Sequence, residues 1–177
     1  MKRLSTKNLV FSGLFIALGL ILPFLTGQIP NIGNKLLPMH IPVLISGFVC
    51  GWPYGLIVGF IVPILRSIIF GMPIMFPVAI AMAFELATYG CISGILGNLF
   101  PKKNIFVYIS LIISMICGRV VWGIVSIFLY GVKGAAFTWK VFMTGAFINA
   151  IPGILLQIII IPIIIVTLRK ARIVENA

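Results

Sequence analysis

Acid is nearly absent from this chain: two Asp or Glu residues stand against thirteen Lys or Arg in 177 residues, a formal charge of +11. With one His and two acids, a metal site lacks ligands. No H-E-x-x-H or G-x-S-x-G occurs, and a single His leaves little scope for a catalytic triad. No G-x-x-x-x-G-K-[ST] is present, so the chain has no ATP-binding loop of its own. An enzyme is not expected, and neither is a cofactor in this chain. Cys50, Cys91 and Cys117 lie inside apolar runs without C-x-x-C spacing and read as small buried hydrophobes. A basic excess points to nucleic acid in a soluble protein, but no basic stripe interleaved with aromatics exists here. No nucleic-acid partner is expected.

What is abundant is oil. Hydrophobic residues make up 62% of the chain, charged ones 8%, and the mean hydropathy is +1.27. A soluble domain of this length has too little interior to hide that much apolar surface, so its solvent must be lipid. Breaks in the apolar runs predict six helices in one membrane domain over 1–177: Asn8 to Thr26, a short one from Ile41 to Gly51, Tyr54 to Phe70, Pro77 to Phe100, Ile105 to Tyr130 and Met143 to Leu168. A helix needs about 20 residues to cross upright, so the second is too short to do so. The Met-Lys-Arg start and the apolar run after it read as a retained first helix, too long for a signal-peptide core. Six crossings place Lys2, Arg3, Lys7, Lys102, Lys103, Arg169, Lys170 and Arg172 on one side and Lys35, Lys133 and Lys140 on the other. Eight against three predicts both termini in the cytoplasm of a plasma-membrane protein.

Ionisable residues within such helices mark function, because a charge at mid-bilayer costs about 3 kcal/mol on insertion scales. Arg66, Glu85 and Arg119 lie inside the third, fourth and fifth helices, about 7, 12 and 18 Å from the outer helix ends at 1.5 Å per residue. Asn149 lies about 10 Å down the sixth. Helical spacing puts Tyr89 on the face of Glu85, and Trp122 and Ser126 on the face of Arg119. The expectation is an outward-open pocket for a small solute with polar edges, and two arginines against one glutamate favour an acidic or phosphate-bearing one. The competing reading pairs Glu85 with Arg66 or Arg119 only to hold helices together. His40, at a loop-to-helix junction, reads either as a ligand contact or as an interfacial polar residue. Asn34 and Lys35, in the first outer loop, either close over the solute or are merely solvated. Trp139 and Lys140 read as a membrane-interface anchor. On the first helix, Gly13 and Ala17 form a small-xxx-small step that lets another helix approach, from a partner or from the same chain.

Several segments resemble the substrate-binding S components of energy-coupling factor (ECF) vitamin transporters. They are Leu37-Pro38-Met39-His40-Ile41-Pro42-Val43, then Gly51-Trp52-Pro53-Tyr54-Gly55-Leu56-Ile57-Val58-Gly59 with its G-x-x-x-G-x-x-x-G spacing, then Phe147-Ile148-Asn149-Ala150-Ile151-Pro152-Gly153. Gly13-x-x-x-Ala17 is similar to the family's A-x-x-x-A contact motif, with Gly in first place. The resemblance implies capture of a water-soluble vitamin or related micronutrient near the outer ends of helices four to six. It also implies an ABC-type importer in which this chain docks onto a transmembrane coupling subunit driven by two ATPase subunits, which use the ATP. The residues alone leave two other readings: a self-sufficient secondary transporter or channel with Glu85 as a proton or cation site, and an assembly protein without solute.

Overall fold

The computed structural model describes residues 6–27 and 33–171, except for the side chains of 33 and 34. A chain in hydrocarbon must satisfy its backbone internally, and the described residues form helices, joined by short turns and loops. They are α1 (Thr6–Gly27), α2 (His40–Cys50), α3 (Trp52–Phe70), α4 (Ile80–Leu99), α5 (Asn104–Val132), α6 (Trp139–Met143) and α7 (Ile151–Lys170). Five segments are long and apolar enough to span a membrane: Thr6–Thr26, Trp52–Phe70, Met75–Leu99, Asn104–Val132 and Trp139–Lys170. The remaining one, α2, has only 11 residues, about 16 Å of helix.

α3 and α4 run antiparallel, since Gly59 of α3 meets Leu86 of α4 whereas Trp52 meets Gly94, while α1 runs parallel to α3, with Gly19 against Val62 and Phe24 against Phe70. The starts of α2, α4 and α7 therefore gather at one end, here termed the upper end, with the finishing turns of α1, α3 and α5. Ten of the 11 residues of α2 are buried, and the helix packs against α1, α3, α4 and α7. It is the axis of the bundle.

Glycine makes that packing possible. A side chain at Gly55 would strike the carbonyl of Gly90, one at Gly59 that of Leu86, and one at Gly47 that of Gly90 as well. Lipid supplies no hydrophobic drive between helices, so close backbone approach and van der Waals contact must do the work. The G-x-x-x-G-x-x-x-G run thus serves helix contact within the chain. Its first member, Gly51, turns α2 into α3 at φ 91°, in the region that favours glycine.

Two helices are interrupted at the upper end. Wide turns with i→i+5 hydrogen bonds occupy Met75–Ala79 and Thr144–Ile148, closed by Ala79 N–H to Ile74 O and Asn149 N–H to Thr144 O, both 2.9 Å. The last span therefore starts at Trp139, earlier than the expected Met143, and changes course before Ile151, where Pro152 lacks an N–H to continue the ladder. Turns of this kind recur where helices line functional sites.

Candidate functional site

One carboxylate organises the upper half of the bundle. Glu85 and Tyr89 are one turn apart on α4 and share a face; the Tyr89 hydroxyl donates to Glu85 Oε1 at 2.9 Å. From α5, Arg119 Nη1 donates to the same oxygen at 2.9 Å. Gly118 makes this fit possible, because a side chain there would collide with the Tyr89 ring. His40 enters from the first turn of α2, whose start is set by Leu37 at φ 51° and a 3.1 Å bond from His40 N–H to Leu37 O. Its Nε2 stands 3.7 Å from Glu85 Oε1, beyond hydrogen-bond range, and its ring lies 5.5 Å from that of Tyr89. Glu85, Tyr89 and His40 are each 1% exposed and Arg119 7%. Charge-assisted bonds of this kind are about twice as strong as neutral ones. In a dry site they lock the pair.

Several buried polar atoms on the helices that carry or adjoin the cluster have no partner. Both ring nitrogens of His40, the hydroxyl of Ser126 seven residues beyond Arg119, and Gln157 Oε1 on α7 have none. Gln157 holds the first-loop backbone through a 3.5 Å bond to Leu37 O, and Gly153 leaves room for the carbonyl of Lys35 against α7. Buried polar groups are almost always hydrogen-bonded, so these side chains on α2, α5 and α7 each have capacity for a further polar partner. Among the described residues, no three His, Cys, Asp or Glu side chains gather as a metal site requires.

The other expected contacts separate from this cluster. Arg66 lies at the seam of α1 and α3, donates to Leu20 O at 2.7 Å and sits over the rings of Phe24 and Phe70, 4.8 and 5.6 Å from their centres. The expected excess of one positive charge at Glu85 therefore does not form; Arg119 and Glu85 cancel. Asn149 is exposed and lines a shallow depression of about 350 Å³ with Lys140, Val141, Thr144 and Gly145. Trp122 is half-buried and packs on Phe137 and Phe142, centroids 5.6 and 6.0 Å away, in an aromatic layer between the upper part of α5 and α6. Lys140 and Trp139 sit at the depression and in the aromatic layer. The side chain of Asn34 lies outside the described residues. On α1, Gly13 and Ala17 face away from the bundle, and nothing stands within 4 Å of the place a side chain on Gly13 would fill.

Residues 7–165 match the family model described as ECF transporter, substrate-specific component. The chain belongs to this family. No curated protein and no solved structure matches it. An ECF substrate-specific component is a transporter subunit and not an enzyme class, and the long apolar helices make this one a multi-pass membrane protein. Sequence reasoning found four members of the S component's cluster and missed Gln157 and Gly118. Gln157 was findable by the rule that singled out Asn149, since it is the lone amide in the apolar run of α7.

Proposed function

We propose that this S component captures one small, water-soluble, vitamin-like solute at its upper end, and that this end faces outward. Both termini are then cytoplasmic and the chain crosses six times, α2 counting as one short crossing, as the eight-to-three division of basic residues supports. The observation that carries the reading is the buried Glu85–Arg119 pair with the unpartnered Nε2 of His40 3.7 Å from Glu85 Oε1; unpartnered atoms on Ser126 of α5 and Gln157 of α7 add to it. A solute with donors and acceptors on one edge satisfies them: an acceptor toward Arg119, a donor toward Glu85, and further partners for His40 and Gln157. Since the inner pair is neutral, any acidic group on the solute is better met at the rim, where Lys140 joins Thr144 and Asn149. Trp122 and Tyr89 supply ring surfaces for a flat body. Arg66 is read as a clamp between α1 and α3, and Asn34 as a residue of the loop above the site.

Delivery requires partners. ECF substrate-specific components work with a membrane coupling subunit and ATPase subunits; the bare Gly13–Ala17 step on α1 is the surface read as docking onto the former, and ATP is consumed by the latter. The test is uptake in proteoliposomes. Uptake that needs the coupling and ATPase subunits, and stops when their ATP site is mutated, supports the reading. Proton-driven uptake by the chain alone overturns it in favour of a secondary transporter working through Glu85.

A further inference from the structure

One connection at the upper end is unlike the other two. Lys35 lies in the first, and Lys133 and Lys140 flank the last, in keeping with loops that run over a watery surface. The connection between α3 and α4 is apolar throughout. Over residues 67–84 none is charged, and Ser67, itself buried, has the only side-chain hydroxyl or amide. Yet the chain reverses direction inside this run. Gly71, at φ 70°, ends α3 with a 2.9 Å bond from its N–H to Ser67 O, and the wide turn at Met75–Ala79 then leads into α4. Every residue over 68–76 is exposed except Pro73, which is half-buried; Ile68, Met72 and Ile74 are 67%, 64% and 65% exposed.

Contiguous exposed apolar surface marks contact with a membrane or a protein, and here the membrane is favoured. The patch runs without a break into the lipid-facing flanks of the two spans, at Ile69 and Phe70 of α3 and Phe84 of α4. Pro73 and Pro77 bring no N–H into the turn, which spares two donors that hydrocarbon could not satisfy. Arg66 lies four residues before Phe70, about 6 Å lower along α3. Its guanidinium takes partners from the protein, the carbonyl of Leu20 and the faces of Phe24 and Phe70. That is the provision a charge needs below a lipid surface.

We propose that the α3–α4 tip, residues 69–76, is an interfacial anchor, its side chains inserted among the acyl chains just beneath the headgroups of the leaflet at the upper end. The insertion does not depend on what the chain captures. On the capture reading it has a consequence: a water-soluble solute approaches Glu85 from the side carrying Lys35, Lys133 and Lys140, because the α3–α4 side is closed by lipid.

The experiment is spin labelling of the full chain, with Cys50, Cys91 and Cys117 replaced by Ala, in phosphatidylcholine vesicles. A label on Ile74→Cys should be relaxed more by oxygen, which concentrates among acyl chains, than by a water-soluble nickel chelate. A label on Ala136→Cys, in the last upper connection, should show the reverse order. Ile74→Cys relaxed mainly by nickel places the tip in water and overturns the proposal. A label on Ile74→Cys shielded from both reagents also overturns it, and assigns the patch to a protein contact. Met72→Trp in the chain with its own cysteines gives a second readout that does not rely on the cysteine-free background. Its emission in excess of the parent should be quenched by lipids brominated on the acyl chains; quenching by aqueous iodide instead overturns the proposal.

Discussion

Removing Glu85 and Arg119 singly and together separates a solute site from a structural ion pair. Arg119→Met leaves the Glu85 carboxylate, 1% exposed, with the Tyr89 hydroxyl as its only close donor. Glu85→Gln leaves an uncompensated guanidinium on α5, 7% exposed. Breaking a buried pair from one side costs about 3–5 kcal/mol, a large share of the roughly 5–15 kcal/mol typical of a folded domain. The double variant Glu85→Gln/Arg119→Met removes both charges while the new amide oxygen still accepts from the Tyr89 hydroxyl. Neutral replacement of a whole pair is often close to neutral in stability. Thermal unfolding in nanodiscs should therefore show two destabilised single variants and a double variant within about 1 kcal/mol of the parent. Binding of the copurified solute should be lost in all three, because each removes at least one of the two charged groups proposed to meet it. If the double variant regains stability and also binds the solute as the parent does, the pair is only a helix clamp and the capture reasoning fails.

Arg66→Gln should leave solute affinity within about two-fold while costing about 1.5–3 kcal/mol of stability, since it loses a charged bond to Leu20 O; an affinity loss of about tenfold or more would return Arg66 to the site. Gly13→Leu should preserve folding and capture, because the position is bare, but weaken copurification with the coupling subunit and ATP-driven uptake. Gly118→Val should overpack against the Tyr89 ring and cost about 1–3 kcal/mol, with capture falling in the same variant. Lys140→Ala should weaken an acidic solute and leave a neutral one unchanged, which a binding titration at two salt concentrations would reveal.

The apolar runs made the long helices legible, and the break at Trp52-Pro53 made the short α2 legible. The discontinuities were harder to see. The run from Met143 to Leu168 read as one helix straight through Pro152, and the wide turns at Met75–Ala79 and Thr144–Ile148 depend on which carbonyls accept at i→i+5, which no periodicity encodes. Within the site, charge in oil singled out Glu85 and Arg119, and helical spacing added Tyr89. Spacing along one helix could not say which of two arginines would reach the glutamate. That choice was made by Gly118, which lets α5 close on Tyr89, and by the carbonyl of Leu20, which holds Arg66 elsewhere. Small-residue packing showed the same limit. Gly13 and Ala17 carry the motif spacing yet face outward, whereas Gly47, Gly55, Gly59 and Gly90 bring the backbones of α2, α3 and α4 together.

The most direct test is an experimental structure of the chain purified from membranes with its own solute bound. The account predicts one solute within hydrogen-bond distance of both Glu85 and Arg119, with His40 or Gln157 gaining the partner each now lacks. A solute confined to the rim around Lys140 and Asn149, with the Glu85–Arg119 pair and the orphan atoms unchanged, would contradict it.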